Sequence, residues 1–176
     1  MKILRSFLVL SFIFFAVPTH ASDVTLFGGV QHQGKLTLNS GVQQASSITF
    51  DPRNFGVFGV RFGHGNVFGG EHTIAYTPNF IDSRTKAIIY NSNVLIQAPV
   101  PKVKPYATFG LGSIFTAGDS ITDIGNKFAM NYGAGLKILP AGGAGVRFDV
   151  RGYTVPSVQD QTLNIIEVSV GVVFSF

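Results

Sequence analysis

From residue 22 onward, apolar and polar residues alternate with a period of two, in segments of about ten residues divided by turn-rich stretches. The last segment carries the pattern most plainly. Ile166, Val168, Val170, Val172, Phe174 and Phe176 fall on one face, and Glu167, Ser169, Gly171 and Ser175 on the other, with Val173 as the exception. Before it, Val146, Phe148 and Val150 alternate with Arg147, Asp149 and Arg151. Met130, Tyr132, Ala134, Leu136 and Ile138 alternate with Asn131, Gly133, Gly135 and Lys137, while Phe58, Val60 and Phe62 oppose Gly59 and Arg61. Successive side chains of a strand point to opposite faces, so this is strand periodicity. The pattern predicts eight strands, over residues 23–33, 54–63, 67–77, 85–98, 104–115, 127–139, 143–154 and 163–176.

The connectors predict how the strands are arranged. Gly63-His64-Gly65-Asn66, Pro99-Val100-Pro101 and Pro140-Ala141-Gly142-Gly143 are tight turns. Between them lie longer polar links: Gly34 to Arg53, Pro78 to Arg84, Thr116 to Asn126 and Val155 to Thr162. Strict alternation of long and short gathers every long link at one end, which a soluble sandwich has no reason to do. A strand needs about 9–11 residues to cross a tilted membrane path, and the segments match or exceed that. Apolar-out, polar-in alternation suits a closed sheet in lipid, where closure pairs every backbone group. The expected fold is therefore all-β: an eight-stranded antiparallel up-and-down transmembrane β-barrel. Aromatics near strand ends (Phe55, Phe68, Tyr76, Phe80, Tyr106, Phe128, Tyr153, Phe174, Phe176) are expected in two interfacial girdles. Glycines on the inward face leave room for arginine and tyrosine in a narrow lumen. His72 is the misfit, since its phase is outward; a bulge or a shifted register is expected there.

Composition narrows the class. Charged residues are 12% of the chain, against about 25% in a soluble domain. No apolar run reaches the 18 or so residues of a spanning helix. With no cysteine, a disulfide framework and a thiolate metal site are excluded. Residues 1–21 have the layout of a signal peptide: Lys2 and Arg5, the apolar stretch Phe7–Val17, then Pro18-Thr19-His20-Ala21. Cleavage is expected between Ala21 and Ser22, leaving one domain over 22–176. The apolar stretch is too short for a retained anchor helix. Two of the 13 basic residues belong to that leader, so against 9 acidic residues the remainder is near neutral. No basic patch is left to bind nucleic acid.

Inward phase collects Arg61, Glu71, Lys137, Arg147, Asp149, Arg151 and Glu167 into a lumen charge network. Buried ions persist when paired, so a plug is the first reading and a narrow path for small solutes the second. Arg147 and Arg151 are expected to pair with Glu167 or Glu71. His32, Asp82 and Ser83 fall near the long-link rim and hold the side chains of an acyl-transfer triad, but three ordinary polar loop residues would look the same. His64 and His72 are too isolated for a metal site, and no acidic cluster has calcium-loop spacing. Ala141-Gly142-Gly143 lacks a Lys-Ser/Thr partner and reads as a turn. No catalytic, cofactor or metal residues are assigned. The polar first link, Gly34 to Arg53, is a candidate binding loop.

The terminal Phe176, with apolar residues at every second position back to Ile166, resembles the assembly signal of outer-membrane β-barrel proteins. Asn131-Tyr-Gly-Ala-Gly-Leu-Lys137 and Gly145-Val-Arg-Phe-Asp-Val-Arg-Gly-Tyr153 resemble strands six and seven of small barrels of the OmpA-transmembrane and OmpX type. Pro105-Tyr-Ala-Thr-Phe-Gly-Leu-Gly112 resembles a fifth strand. The resemblance implies residence in a Gram-negative outer membrane among lipids and lipopolysaccharide; the oligomeric state is open, with a monomer the first reading. It also implies insertion by the barrel-assembly machinery through Ile166, Val168, Val170, Val172, Phe174 and Phe176. It implies no single activity: a non-enzymatic surface barrel with an envelope-structural or adhesive role comes first, a narrow porin-like channel second, and a lipid A-modifying rim enzyme a distant third. The palmitoyltransferases of that third class carry an N-terminal amphipathic helix that Ser22–Val24 does not match. The deacylases need His and Ser two apart near the C-terminus, and no histidine follows His72. No wall-binding domain is expected after Phe176.

Overall fold

The computed structural model describes residues 22–39, 47–118, 123–140, 143–158 and 161–176. Alternation closes there into one antiparallel barrel of β1 (Ser22–Gln33), β4 (Arg53–Gly65), β5 (Phe68–Thr77), β6 (Lys86–Gln97), β7 (Val103–Ala117), β8 (Asn126–Ile138), β9 (Ala144–Val158) and β10 (Gln161–Ser175). Each strand pairs with its sequence neighbour in the barrel, and β1 pairs with β10 to close it. Closure extends to the termini, where the Phe176 amide donates to the Ser22 carbonyl at 2.9 Å. The signal-peptide stretch, with Ala21, lies outside the described residues; Ser22 opens β1.

The long-link end departs from expectation in two places. Within Gly34 to Arg53 a second small sheet forms from β2 (Leu36–Asn39) and β3 (Ser47–Phe50), paired antiparallel. The fourth link shrinks to residues 159–160, because β9 and β10 stay paired out to Val158 and Gln161, with a register shift beside Leu163. Inward Val155, Val158 and Leu163 extend the apolar lining and carry the strands past the expected boundary.

Inward side chains fill the lumen in two layers. At the link end Phe55, Val57, Ile89, Ile114, Val155 and Leu163 form an apolar core. Phe80 and Ile81, from the link 78–85, fold down into it with no exposed surface. Phe80 meets Phe55 edge-on, ring centroids 5.6 Å apart. Phe55, Phe80, Tyr106 and Tyr153 are therefore lumen residues and not girdle residues. Three of them have inward strand phase, and Phe80 sits on a link that turns inward. Phe68, Tyr76, Phe128, Phe174 and Phe176 stay on the outer wall. His72 also stays outward, without a bulge: it pairs in regular register between Phe62 and Ser92. Its ring is covered by stacking on Tyr90, whose hydroxyl lies 3.1 Å from His72 Nδ1.

Candidate functional site

Below the apolar layer the strands converge on a buried polar centre. Register sets its membership, since Arg61 on β4, Glu71 on β5, Arg147, Asp149 and Arg151 on β9, and Glu167 on β10 share inward phase at overlapping heights. Arg61 bridges two acids, with Nη1 3.1 Å from Asp149 Oδ2 and Nη2 2.6 Å from Glu167 Oε1. Glu71 bridges two arginines, at 2.5 Å from Arg147 Nη2 and 2.7 Å from Arg151 Nη2. Asp149 joins both halves, accepting from Arg147 Nε at 3.0 Å and from Arg151 Nη2 at 2.9 Å. Three guanidinium groups thus face three carboxylates. A desolvated charge is tolerated on that condition of pairing and hydrogen bonding.

Neutral groups occupy further lone pairs. Glu167 accepts from Gln31 Nε2 at 2.8 Å, Tyr153 Oη at 3.1 Å and Ser169 Oγ at 3.1 Å. Tyr106 donates to Asp149 Oδ1 and accepts from Arg147 Nε at 2.8 Å. Its ring reaches across β8 because residue 135 is glycine: a Cβ there would overlap the Tyr106 hydroxyl. Arg61 also lies flat on the Phe27 ring, 3.6 Å from its centroid, which is a cation–π contact in a dry setting.

Arg147 and Arg151 both pair with Glu71, and Glu167 pairs with Arg61 instead. Lys137 stands apart from the six, nearer the termini, and bonds Asp23 Oδ2 at 2.6 Å and Gln97 Oε1 at 3.3 Å. Asp23 is the fourth acid, missing from the sequence-derived set. Its signal was available, since Asp23 has the same phase as Thr25, Phe27 and Gln31 on β1. With it, four positive and four negative side chains among the described residues are in contact in the lumen.

The rim residues do not assemble. His32 points outward and bonds Asn54 Oδ1 at 2.7 Å. Asp82 turns its carboxylate back on its own link, accepting from the amides of Arg84 at 2.9 Å and Thr85 at 2.8 Å. Ser83 is exposed beside it. A nucleophile–base–orienter chain needs hydrogen bonds that these partners take elsewhere. Among the described residues no group of three or more His, Asp or Glu is placed to hold a metal ion. His64 and His72 do lie on adjacent strands, His64 opposite Gly70, and are closer than their sequence separation implied. On the outer wall, Ile166, Val168, Val170, Val172, Phe174 and Phe176 face outward in one row.

Known proteins frame this geometry. The family model for the outer membrane protein beta-barrel domain matches residues 7–176. No curated protein matches the chain. Among solved structures, Neisserial surface protein A (NspA) superposes with a TM-score of 0.64 at 14% identity, over 87% of this chain and 97% of that one. The N-terminal β-barrel domain of OprF from Pseudomonas aeruginosa gives 0.60 at 13% identity, over 90% and 98%. The outer membrane protein OprG from the same species gives 0.59 at 9%, over 90% and 97%. At these identities the likeness is one of fold.

Proposed function

Because the chain belongs to the outer membrane protein β-barrel family and resides in the bacterial outer membrane, we propose that it is a non-enzymatic surface barrel, acting in envelope structure or adhesion through its external links. The observation that carries this reading is the double closure of the lumen. Phe80 and Ile81 fill the link end, and the Arg61–Glu71–Arg147–Asp149–Arg151–Glu167 network fills the middle. A permeation path would have to break both. That leaves the links as the surface available to partners, and the β2–β3 hairpin gives the first of them a paired frame. In this reading the short-connector end, with both termini, is periplasmic in a Gram-negative envelope, and residues 1–21 are removed on export. The barrel is a monomer among lipids and lipopolysaccharide. The row from Ile166 to Phe176 docks on the barrel-assembly machinery.

Two measurements test it. Folded protein in a planar bilayer is expected to be electrically silent; regular conductance steps altered by Arg147→Ala would put the narrow-channel reading first. Cells expressing a variant with residues 36–50 replaced by a short turn are expected to lose surface binding while the heat-dependent gel shift of the folded barrel persists. Unchanged binding would remove the first link from the adhesive role.

A further inference from the structure

The lumen is lined differently on its two sides. Where Glu167 meets Arg61, both carboxylate oxygens have partners, from Arg61, Ser169, Gln31 and Tyr153. The inner face of β5–β8 is built mainly from hydroxyls, amides and glycine. Three successive rows of register cross it. In the first, Thr73 pairs with Asn91 and Asn91 with Gly112. In the next, toward the termini, Glu71, Asn93, Gly110 and Asn131 follow one another. In the third, Thr108 pairs with Gly133 and Gly133 with Arg151. Because residues 110 and 112 are glycine, the amides of Asn93 and Asn91 lie against the bare β7 backbone; a Cβ at either position would overlap the amide oxygen. Through Glu71 and Arg151 the rows adjoin the charge network.

Hydrogen bonds run part of the way across this face. Asn131 Nδ2 donates to Asn93 Oδ1 at 2.7 Å, and Asn93 Nδ2 lies 3.5 Å from Glu71 Oε1. Six polar atoms beside them have no hydrogen-bond partner among the described residues: Thr73 Oγ1, both amide atoms of Asn91, Thr108 Oγ1, Asn131 Oδ1 and Arg151 Nη1. None of these residues is more than 5% exposed. Buried polar atoms are nearly always partnered, because a bare one forfeits the bonds it makes in water. Six in three adjacent rows make a site. The set mixes donors and acceptors, and the neighbouring charges are already matched in ion pairs, so the fitting partner is neutral and both donates and accepts hydrogen bonds. An eight-stranded lumen has room for little beyond its side chains, so that partner is also small. We propose that the inner face of β5–β8 is a hydration site, holding water that bridges Thr73, Asn91, Thr108, Asn131 and the Arg151 guanidinium. At about three hydrogen bonds per buried water, these atoms call for about two molecules. Water held there leaves the ion pairs intact, so the site adds to the plug and does not open it.

Two measurements on the whole folded barrel in lipid test this. In NMR spectra of the parent protein, water protons are expected to give cross-peaks to the Asn91 side-chain amide, with the sign of tightly held water. None is expected at the Gln31 amide, which is equally buried and donates to Glu167. In urea unfolding, Thr73→Val removes a hydroxyl with little change of shape. It is expected to lower the midpoint, as is Thr77→Val, whose hydroxyl donates directly to Gln31 Oε1 at 3.2 Å. The sign is the test: a bare buried hydroxyl is a cost, so its removal from a dry face raises the midpoint. The heat-dependent gel shift verifies that both variants fold. An unchanged or raised midpoint in Thr73→Val, or no water cross-peak at Asn91, would overturn the proposal. So would a parent midpoint that rises with chloride at fixed ionic strength, which would put an anion on Arg151 in place of water.

Discussion

Arg61 on β4 and Glu167 on β10 meet at 2.6 Å with neither side chain exposed, 106 positions apart in the chain. Neither strand pairs with the other; β1 lies between them. The contact therefore reaches over the inner face of β1 and joins the two strands that flank it at the barrel closure, which makes the network a stability element as much as a plug.

Removing one member leaves the others charged and dry. Glu71→Ala would strand Arg147 and Arg151 together, and loss of one partner from a buried pair costs about 3–5 kcal/mol. Glu71→Gln keeps the shape and some hydrogen bonds, and is expected to cost less. Equilibrium urea unfolding in lipid vesicles gives both numbers; an alanine variant as stable as the parent would mean that water reaches Glu71.

Lys137 and Asp23 form a separate unit, so their coupling is measurable by a double-mutant cycle. Lys137→Met, Asp23→Asn and the pair are expected to show about 0.5–3 kcal/mol of interaction in the unfolding midpoint. A pairwise value near zero would place the Lys137 contact with Gln97, at 3.3 Å, as the one that matters.

Asp23 also shows where sequence reading stops. Strand phase is local, so alternation alone gave the eight strands, the outward row from Ile166 to Phe176 and the inward phase of all seven lumen charges. Which charges meet depends on the stagger of strands far apart in the chain, and no local pattern encodes that. Hence Glu71 took both arginines, and Glu167 went to Arg61. Phe80 and Ile81 escaped for a different reason. A link reads as solvated polar chain, and nothing in Pro78 to Arg84 marks two of its residues as core except their own apolarity. His72 was the opposite case: its phase was right, and the covering Tyr90 ring on the next strand was the unseen partner.

The inward link is predicted to be a stopper in series with the charged layer. Phe80→Ala is expected to cost about 3–5 kcal/mol, as for a large core side chain removed. Ile81 holds φ at 62°, a left-handed backbone that costs a β-branched residue roughly 1–2 kcal/mol, and burial of both side chains offsets it. Phe80→Ala alone is expected to stay silent in planar bilayers, because the arginine–carboxylate layer remains. Conductance from the single variant would mean that layer is permeable without disruption.

The depth of the wall yields a graded prediction on one strand. Val170 lies outward near mid-strand, opposite Gly28 and Phe148, whereas Asn164 lies outward near the link end, opposite Thr154. Arginine on the lipid face costs about 2–4 kcal/mol at the midplane and falls to about 0–1 near the interface. Val170→Arg is therefore expected to lower unfolding free energy by the larger amount and Asn164→Arg by the smaller, in the same vesicles. Ser169, one position from Val170, faces the lumen beside Arg61 Nη2 at 3.2 Å, so Ser169→Arg would add a fourth guanidinium to a balanced set. It is expected to be at least as damaging as Val170→Arg, but for repulsion and lost space rather than for lipid contact. Thinner lipids distinguish the two: shortening the acyl chains brings the interface toward Val170 and should relieve Val170→Arg, while the penalty at Ser169 stays. Equal response of both variants to chain length would mean that residue 170 does not face lipid.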